Sequence, residues 1–440
     1  MAKNIKIAII GGGSPYVPGI LSAFSKSENI LKNSQLVLMD INAQNLSIME
    51  SIGRRMIALE GASSLNIITT TDLKKAIEGA DFVLNNFRPG GLACLAIDEA
   101  VPFKYGYYGQ ETSGPGGTFF ALRAVPQVLD VARMVARRAP RAFLINYTNP
   151  TNFVADAVNR ETNVRMISIC DGAFDLLGKV PQILGLNGKN QVRTRNIGIN
   201  HHTWSMSLTV NGQDVYPKVL KRIREIKQGG KPFFNTFHKE ITLDLALIYG
   251  HLPSPSFYFC PLFLHDELIQ EYHHGGFSLL RMFRHDLKIH WKNFKLMARG
   301  KIPPILDGKH HHTGTGRGDL ALSVMKAIVK NSGEEIHVNV PNQGYIQNIP
   351  NEVIVELPAR ITTHGAQPLR MGRYPESLLG LLQSLIRWQE LTVDAALTGD
   401  RQKLLQALLA YPVVRDYDKA RAMMEEMLGK ERKFLPQFFK

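Results

Sequence analysis

The sequence predicts an α/β fold: a doubly wound, mostly parallel sheet, followed by an α+β C-terminal part. Three observations predict it. An apolar, β-branched run from Asn4 to Ile10 ends in Gly11-Gly12-Gly13-Ser14 and leads into an apolar-periodic helix, Val17 to Phe24. A second strand, Gln35 to Met39, ends in an acid, Asp40. Strands and helices then alternate to about residue 170, as βαβ units require.

The first unit is a strand, a glycine turn, a helix, a strand and an acid. Glycines let the backbone approach a pyrophosphate, and the helix N-terminus offers free N–H donors. Asp40 sits where a carboxylate can bond ribose hydroxyls. The turn departs from G-x-G-x-x-G, its third position being Ser14 or Val17 by register. Gly11, Gly12, Gly13, Ser14 and Asp40 are therefore the candidate NAD-binding residues of a Rossmann-type domain.

Ala80 to Phe87 reads as a strand, Thr118 to Ala136 as a long helix, and Ala142 to Asn146 as a strand with Asn149-Pro150 at its carboxyl end. Val164 to Ile169 is a strand ending in Cys170-Asp171. Ligands of open α/β sheets bind at such ends, so Asn149, Cys170 and Asp171 fall where chemistry is expected. After residue 175 the pattern changes. Gln191 to Leu208 and Ile336 to Val340 look like strands; Glu240 to Tyr249, Asp266 to Leu296, Glu376 to Leu397 and Arg401 to Leu409 look helical. The expected division is residues 1–172 for NAD and 173–440 for an α+β substrate, metal and oligomerisation domain, an outline like that of lactate/malate dehydrogenases.

Composition narrows the classes. Of 440 residues, 44% are apolar and 20% charged, enough for a large core and against disorder. Three scattered cysteines form no disulfide framework. The opening MAKNIKIAII is too short for a signal peptide or a membrane span, so a cytoplasmic protein is expected. The net charge is +14, but the basic residues are spread along the chain. The densest group, from Arg281 to Lys295, has helical spacing and few aromatics, the pattern of a solvated helix face; an anionic substrate or an oligomer contact is the alternative. Neither nucleic acid nor membrane is expected as a partner. His310, His311 and His312 read as part of an exposed loop.

Cys170, at a strand end, and His201, about thirty residues on, are a soft thiolate and an imidazole. Together they make a metal site that stays open to substrate. These pieces, with Arg88-Pro89-Gly90-Gly91, Gly109-Gln110-Glu111-Thr112, Leu122-Arg123-Ala124-Val125-Pro126, Thr148-Asn149-Pro150, Gly198-Ile199-Asn200-His201 and Thr392 to Asp400, resemble glycoside hydrolase family 4 in number, order and spacing.

The resemblance implies redox-assisted elimination in place of two-carboxylate hydrolysis. NAD+ takes a hydride from sugar C3, a Tyr removes the acidified C2 proton, and the C1–O bond breaks. Water then adds and the hydride returns. The resemblance implies Mn2+ or another divalent metal on Cys170 and His201, with sugar hydroxyls completing the shell. It implies Asp171 as general acid, Arg88, Glu111, Asn149 and Arg317 as substrate contacts, and a homodimer or homotetramer. Asp171 has an alternative as a helix N-cap before Gly172-Ala173-Phe174. The base depends on alignment. Counting back from Asp266-Glu267 gives Tyr258; counting forward from Pro255 gives Ser256, which cannot serve. Cys followed by Asp resembles members that cleave α-linked 6-phosphosugars, whereas β-selective ones tend to carry Asn there. The family's later Arg-Gly-Gly-x-Tyr-Ser appears here as Arg317-Gly318-Asp319-Leu320-Ala321-Leu322-Ser323, a departure at the phosphate. The alternative function is an NAD-dependent dehydrogenase of the lactate/malate type, which would need a His–Asp relay.

Overall fold

In the computed structural model, which describes residues 4–27, 31–62, 64–188, 190–306 and 316–439, one mixed sheet of 13 strands runs through the chain. Its first half is β1 (Lys6–Ile10), β2 (Gln35–Met39), β3 (Asn66–Thr70), β4 (Phe82–Asn85), β5 (Phe143–Asn146) and β6 (Arg165–Ser168). These pair in parallel in the order β3-β2-β1-β4-β5-β6, the doubly wound order. Both faces of β1, β2, β4 and β5 are covered, which is why these strands are buried along nearly their whole length, while the edge strand β3 keeps exposed positions. Ile7 and Ile9 pack in one core with residues of the helices Val17–Ser25 and Ala43–Leu59. Ala8 and Ile10 pack in the other with the helices Gly114–Arg138 and Glu376–Thr398.

The second half adds β7 (Val192–Ile199), β8 (His202–Val210), β9 (Gln213–Asp214), β10 (Pro253–Ser254), β11 (Glu334–Pro341), β12 (Ile354–Thr362) and β13 (Gly365–Pro368). β11 joins β6 antiparallel, and β12, β7, β8 and β10 follow outward. The sheet thus crosses residue 172 unbroken. The C-terminal helices turn back onto the first half. Trp388 Nε1 donates to Thr118 Oγ1 at 2.7 Å. Buried Arg123 pairs with Asp98 at 2.6 Å and with Glu431, tying three helices together.

Two elements differ from expectation. Gln191 to Leu208 is a hairpin, β7 and β8, turned at Asn200-His201, where His201 takes φ +69°. Asp266 to Leu296 is two helices, His265–His273 and Leu279–Ala298. Gly275, at φ +80°, and Gly276, where a Cβ would collide with Glu271, break the run, and Ser278 caps the second helix. The strands β3 and β12 and the helices Ala43–Leu59 and Tyr417–Glu431 had no counterpart among the sequence expectations. His310, His311 and His312 lie outside the described residues, as does the side chain of Arg317, whose backbone belongs to the helix Gly316–Lys330. Among the described residues no helix is long and apolar enough to cross a membrane.

Candidate active site

The glycine turn lies against the strands beside it. At Gly11, φ is +87° and a Cβ would collide with the Asn86 carbonyl oxygen beyond β4; at Gly12 it would sit 2.8 Å from Leu38 Cβ on β2. Only glycine fits. Asp40 holds the loop from the side, accepting from the Gly13 N–H at 3.0 Å and the Asn42 N–H at 2.9 Å. Gly11, Gly13, Ser14, Tyr16, Asp40 and Arg88 line a cavity of about 710 Å³, roofed by Phe283 and Trp291 of the helix Leu279–Ala298. Asn86 Nδ2 is buried with no hydrogen-bond partner. A backbone cradle and a helix start fit a dinucleotide.

Cys170 and His201 come together across the sheet. Cys170 Sγ faces His201 Nε2 at 3.3 Å. A thiolate and an imidazole are donors that suit a divalent ion, and two protein ligands would leave positions for substrate. Burial first, then the Asp171 and Glu356 carboxylates, push the Cys170 thiol up to about 12; a metal ion is the charge that would favour the thiolate. The ring of Tyr258 stacks on that of His201, centroids 3.8 Å apart and planes at 3°. Burial, and then Glu111, hold the Tyr258 phenol well above its ordinary range, with a hydrogen bond involving Thr112 pulling it back.

Asp171 opens a short 3-10 turn, Asp171–Phe174, whose cap is Cys170: the sulfur accepts from the Gly172 N–H at 3.4 Å. The capping reading of Asp171 thus belongs to its neighbour. Cys170 Sγ and Asp171 Oδ1 are 4.0 Å apart. Ser256 is buried and bonds Lys179 Nζ, which Asp175 holds at 2.6 Å, so the hydroxyl anchors the loop that carries Tyr258. Arg88 pairs with Glu111 and lies between the Phe120 and Phe283 rings, 5.1 and 5.2 Å from their centroids. Asn149 Oδ1 is buried with no hydrogen-bond partner, an acceptor that fits a sugar hydroxyl.

Two groups escaped sequence reasoning. Glu356, on β12, accepts from Asn200 Nδ2 at 2.8 Å, and burial pushes its carboxyl up to about 7 against that bond. Its only signal in sequence is a lone acid in the apolar run Ile354 to Ala359. Lys179, buried beneath the Tyr258 loop, has no signal in sequence that sets it apart from other lysines.

A family model described as family 4 glycosyl hydrolase matches residues 6–186, and one for that family's C-terminal domain matches 196–414. A probable 6-phospho-beta-glucosidase of Bacillus subtilis (strain 168) is 30% identical over 459 residues, covering 100% of this chain and 99% of that one. A crystal structure of a 6-phospho-alpha-glucosidase from gut microorganisms, in complex with NAD and Mn2+, matches with TM-score 0.86 and 25% identity over 99% of this chain and 100% of that one. A malate dehydrogenase of Plasmodium falciparum shares the fold more distantly, with TM-score 0.53 and 14% identity over 91% of this chain and 99% of that one. Two consecutive family matches and a relative aligned end to end settle the membership: this chain belongs to the family 4 glycosyl hydrolases.

Proposed function

We propose that the chain hydrolyses an α-linked 6-phosphoglycoside, using bound NAD and a divalent metal, Mn2+ by preference. The observation that carries this is the facing pair Cys170 Sγ and His201 Nε2, with Tyr258 stacked on the imidazole. Both similar proteins above are named for 6-phosphosugars, and the solved one is in complex with NAD and Mn2+. The likeness to malate dehydrogenase is one of fold, and family membership displaces the dehydrogenase reading.

When bound, NAD supplies a reversible hydride exchange at sugar C3 and the metal supplies Lewis acidity beside it. The chain's residues do the rest. Gly11 to Ser14 cradle the pyrophosphate, and Asp40 holds that loop and faces the ribose. Cys170 and His201 hold the metal. Tyr258 takes the C2 proton, with the neighbouring cation lowering its raised phenol. Asp171 protonates the leaving oxygen. Asn149, Arg88 and Glu111 would contact the sugar. The segment after Arg317 departs from the family pattern at the phosphate. A second reading, a β-linked substrate, is favoured by the 30% identity to a protein named for that linkage; Asp171 after Cys170 favours α. The reading places the protein in the cytoplasm as a homodimer or homotetramer with no nucleic-acid partner, supported by three buried free cysteines and by the exposed Leu247 and Ile248.

A panel of 4-nitrophenyl α- and β-glucosides, plain and 6-phosphorylated, tests it. The α 6-phosphoglucoside should be cleaved, and only with NAD+ and Mn2+. Turnover that survives complete removal of bound NAD overturns the reading, as does preference for a plain glucoside.

A further inference from the structure

Two strands, β11 and β12, lie between the strands that lead to the chain's two candidate metal ligands, and one transverse row of residues joins them. Ser168 on β6 pairs with Asn339 on β11, Asn339 with Glu356 on β12, and Glu356 with Gly198 on β7. Residues paired across a sheet share a face. Cys170 leaves the sheet two residues beyond Ser168, and Asn200-His201 turn the hairpin two residues beyond Gly198. Ser168, Asn339 and Glu356 are buried, at 0%, 3% and 2% exposure, so this is a polar row through an apolar sheet.

Glu356 is its one acid. Among the described residues, the hydrogen-bond partner of its carboxyl is the Asn200 amide. An uncompensated buried carboxylate is costly, so its place in the row calls for a positive charge nearby. Its amide partner, Asn200, directly precedes His201, whose Nε2 faces Cys170 Sγ at 3.3 Å. Carboxylate and amide form a relay that ends at the hairpin corner, where His201 takes φ +69°.

Resting on the metal site of the proposed function, we infer that Glu356 is a positioning residue for that site, a buried carboxyl group that holds Asn200, and with it the corner that carries His201, in place for the bound cation. Carboxylates in this outer position raise metal affinity about 10–100-fold. The relay also fixes which way the Asn200 amide points, with Nδ2 toward Glu356 and Oδ1 left buried without a partner.

Co2+ titration of the NAD-loaded protein tests this, read by the thiolate-to-cobalt absorption band. Glu356→Gln should need about 10–100-fold more Co2+ to reach half its band, with NAD affinity and melting temperature near wild type. Asn200→Ala should weaken Co2+ similarly and serves alone if Glu356→Gln fails to fold. The double variant should be no worse than the weaker single, because both cut one relay. Glu356→Asp should recover part of the loss. A folded Glu356→Gln that binds Co2+ like wild type overturns the inference alone, as does full additivity in the double variant. A wild type that gives no such band, or a Cys170→Ser that keeps it, overturns the proposed function and this inference with it.

Discussion

The dinucleotide turn and the metal corner are held in different ways. The turn is held by exclusion: Gly11 and Gly12 lie so close to β4 and β2 that no side chain fits, and Asp40, two strands into the chain, bonds it directly. The corner at His201 is held by attraction over long separations. Asn200 bonds Glu356 across 156 residues, and Lys179 bonds Ser256 across 77. Steric shape built from neighbours tolerates no added atom, while a polar relay tolerates size changes and fails when a charge or donor is lost. The two regions should therefore break under different substitutions.

The largest effect is expected at the corner. Cys170→Ser and His201→Ala should each lower turnover by about 10³-fold or more, because a Lewis-acid metal contributes several kcal/mol and each change removes one of two protein ligands. NAD affinity should persist, since the turn does not depend on the corner. Calorimetry with NAD+ and Mn2+ separately checks both halves; loss of NAD binding in either variant would mean that the two regions are one unit.

Asp171→Asn should cost about 10²–10⁴-fold with poor leaving groups and much less with a 4-nitrophenyl group, which departs without a proton. An equal loss across a leaving-group series would assign Asp171 to the turn it opens and not to the reaction.

At the turn, Gly11→Ala should weaken NAD binding by about 10–100-fold, the loop having either to give way or to hold about 1–3 kcal/mol of strain. Its Co2+ affinity should stay near wild type. A variant with normal NAD affinity would show that the close approach to Asn86 is not needed.

The smallest effect is a pH slope. Burial holds the His202 imidazole, on β8 behind the corner, down to about 4. Unfolded, it protonates near pH 6.5. The unfolded chain thus binds the extra proton between those values, so stability is full above about pH 6.5 and falls as pH drops toward 4, by at most about 1.4 kcal/mol per unit. Urea melts at pH 7 and 5 should show the fall, and His202→Leu should flatten it. An unchanged slope in that variant would assign the acid sensitivity to other groups.

What could be read from sequence follows the same division. The turn was legible because its causes lie within a few residues, strand, glycines and acid in order. Cys170 and His201 were legible as chemistry at a strand end. Their approach to 3.3 Å was not, because it depends on a hairpin corner at a non-glycine residue with φ +69°. The choice between Ser256 and Tyr258 turned on two residues of alignment; in the fold Ser256 reaches Lys179 while Tyr258 lies on the His201 ring. Glu356 stayed hidden because an acid inside an apolar strand acquires meaning only from its neighbours on β7 and β11. The break at Gly275-Gly276 was written in the sequence, but the helical periodicity on either side masked it.

Elimination across C1–C2 is the central claim, and hydrolysis in D2O tests it most directly. If the C2 proton is removed and returned from solvent, the sugar released should carry deuterium at C2, as seen by NMR, and Tyr258→Phe should slow both exchange and product formation. A released sugar with no deuterium at C2 would contradict the account and leave direct displacement at C1 in its place.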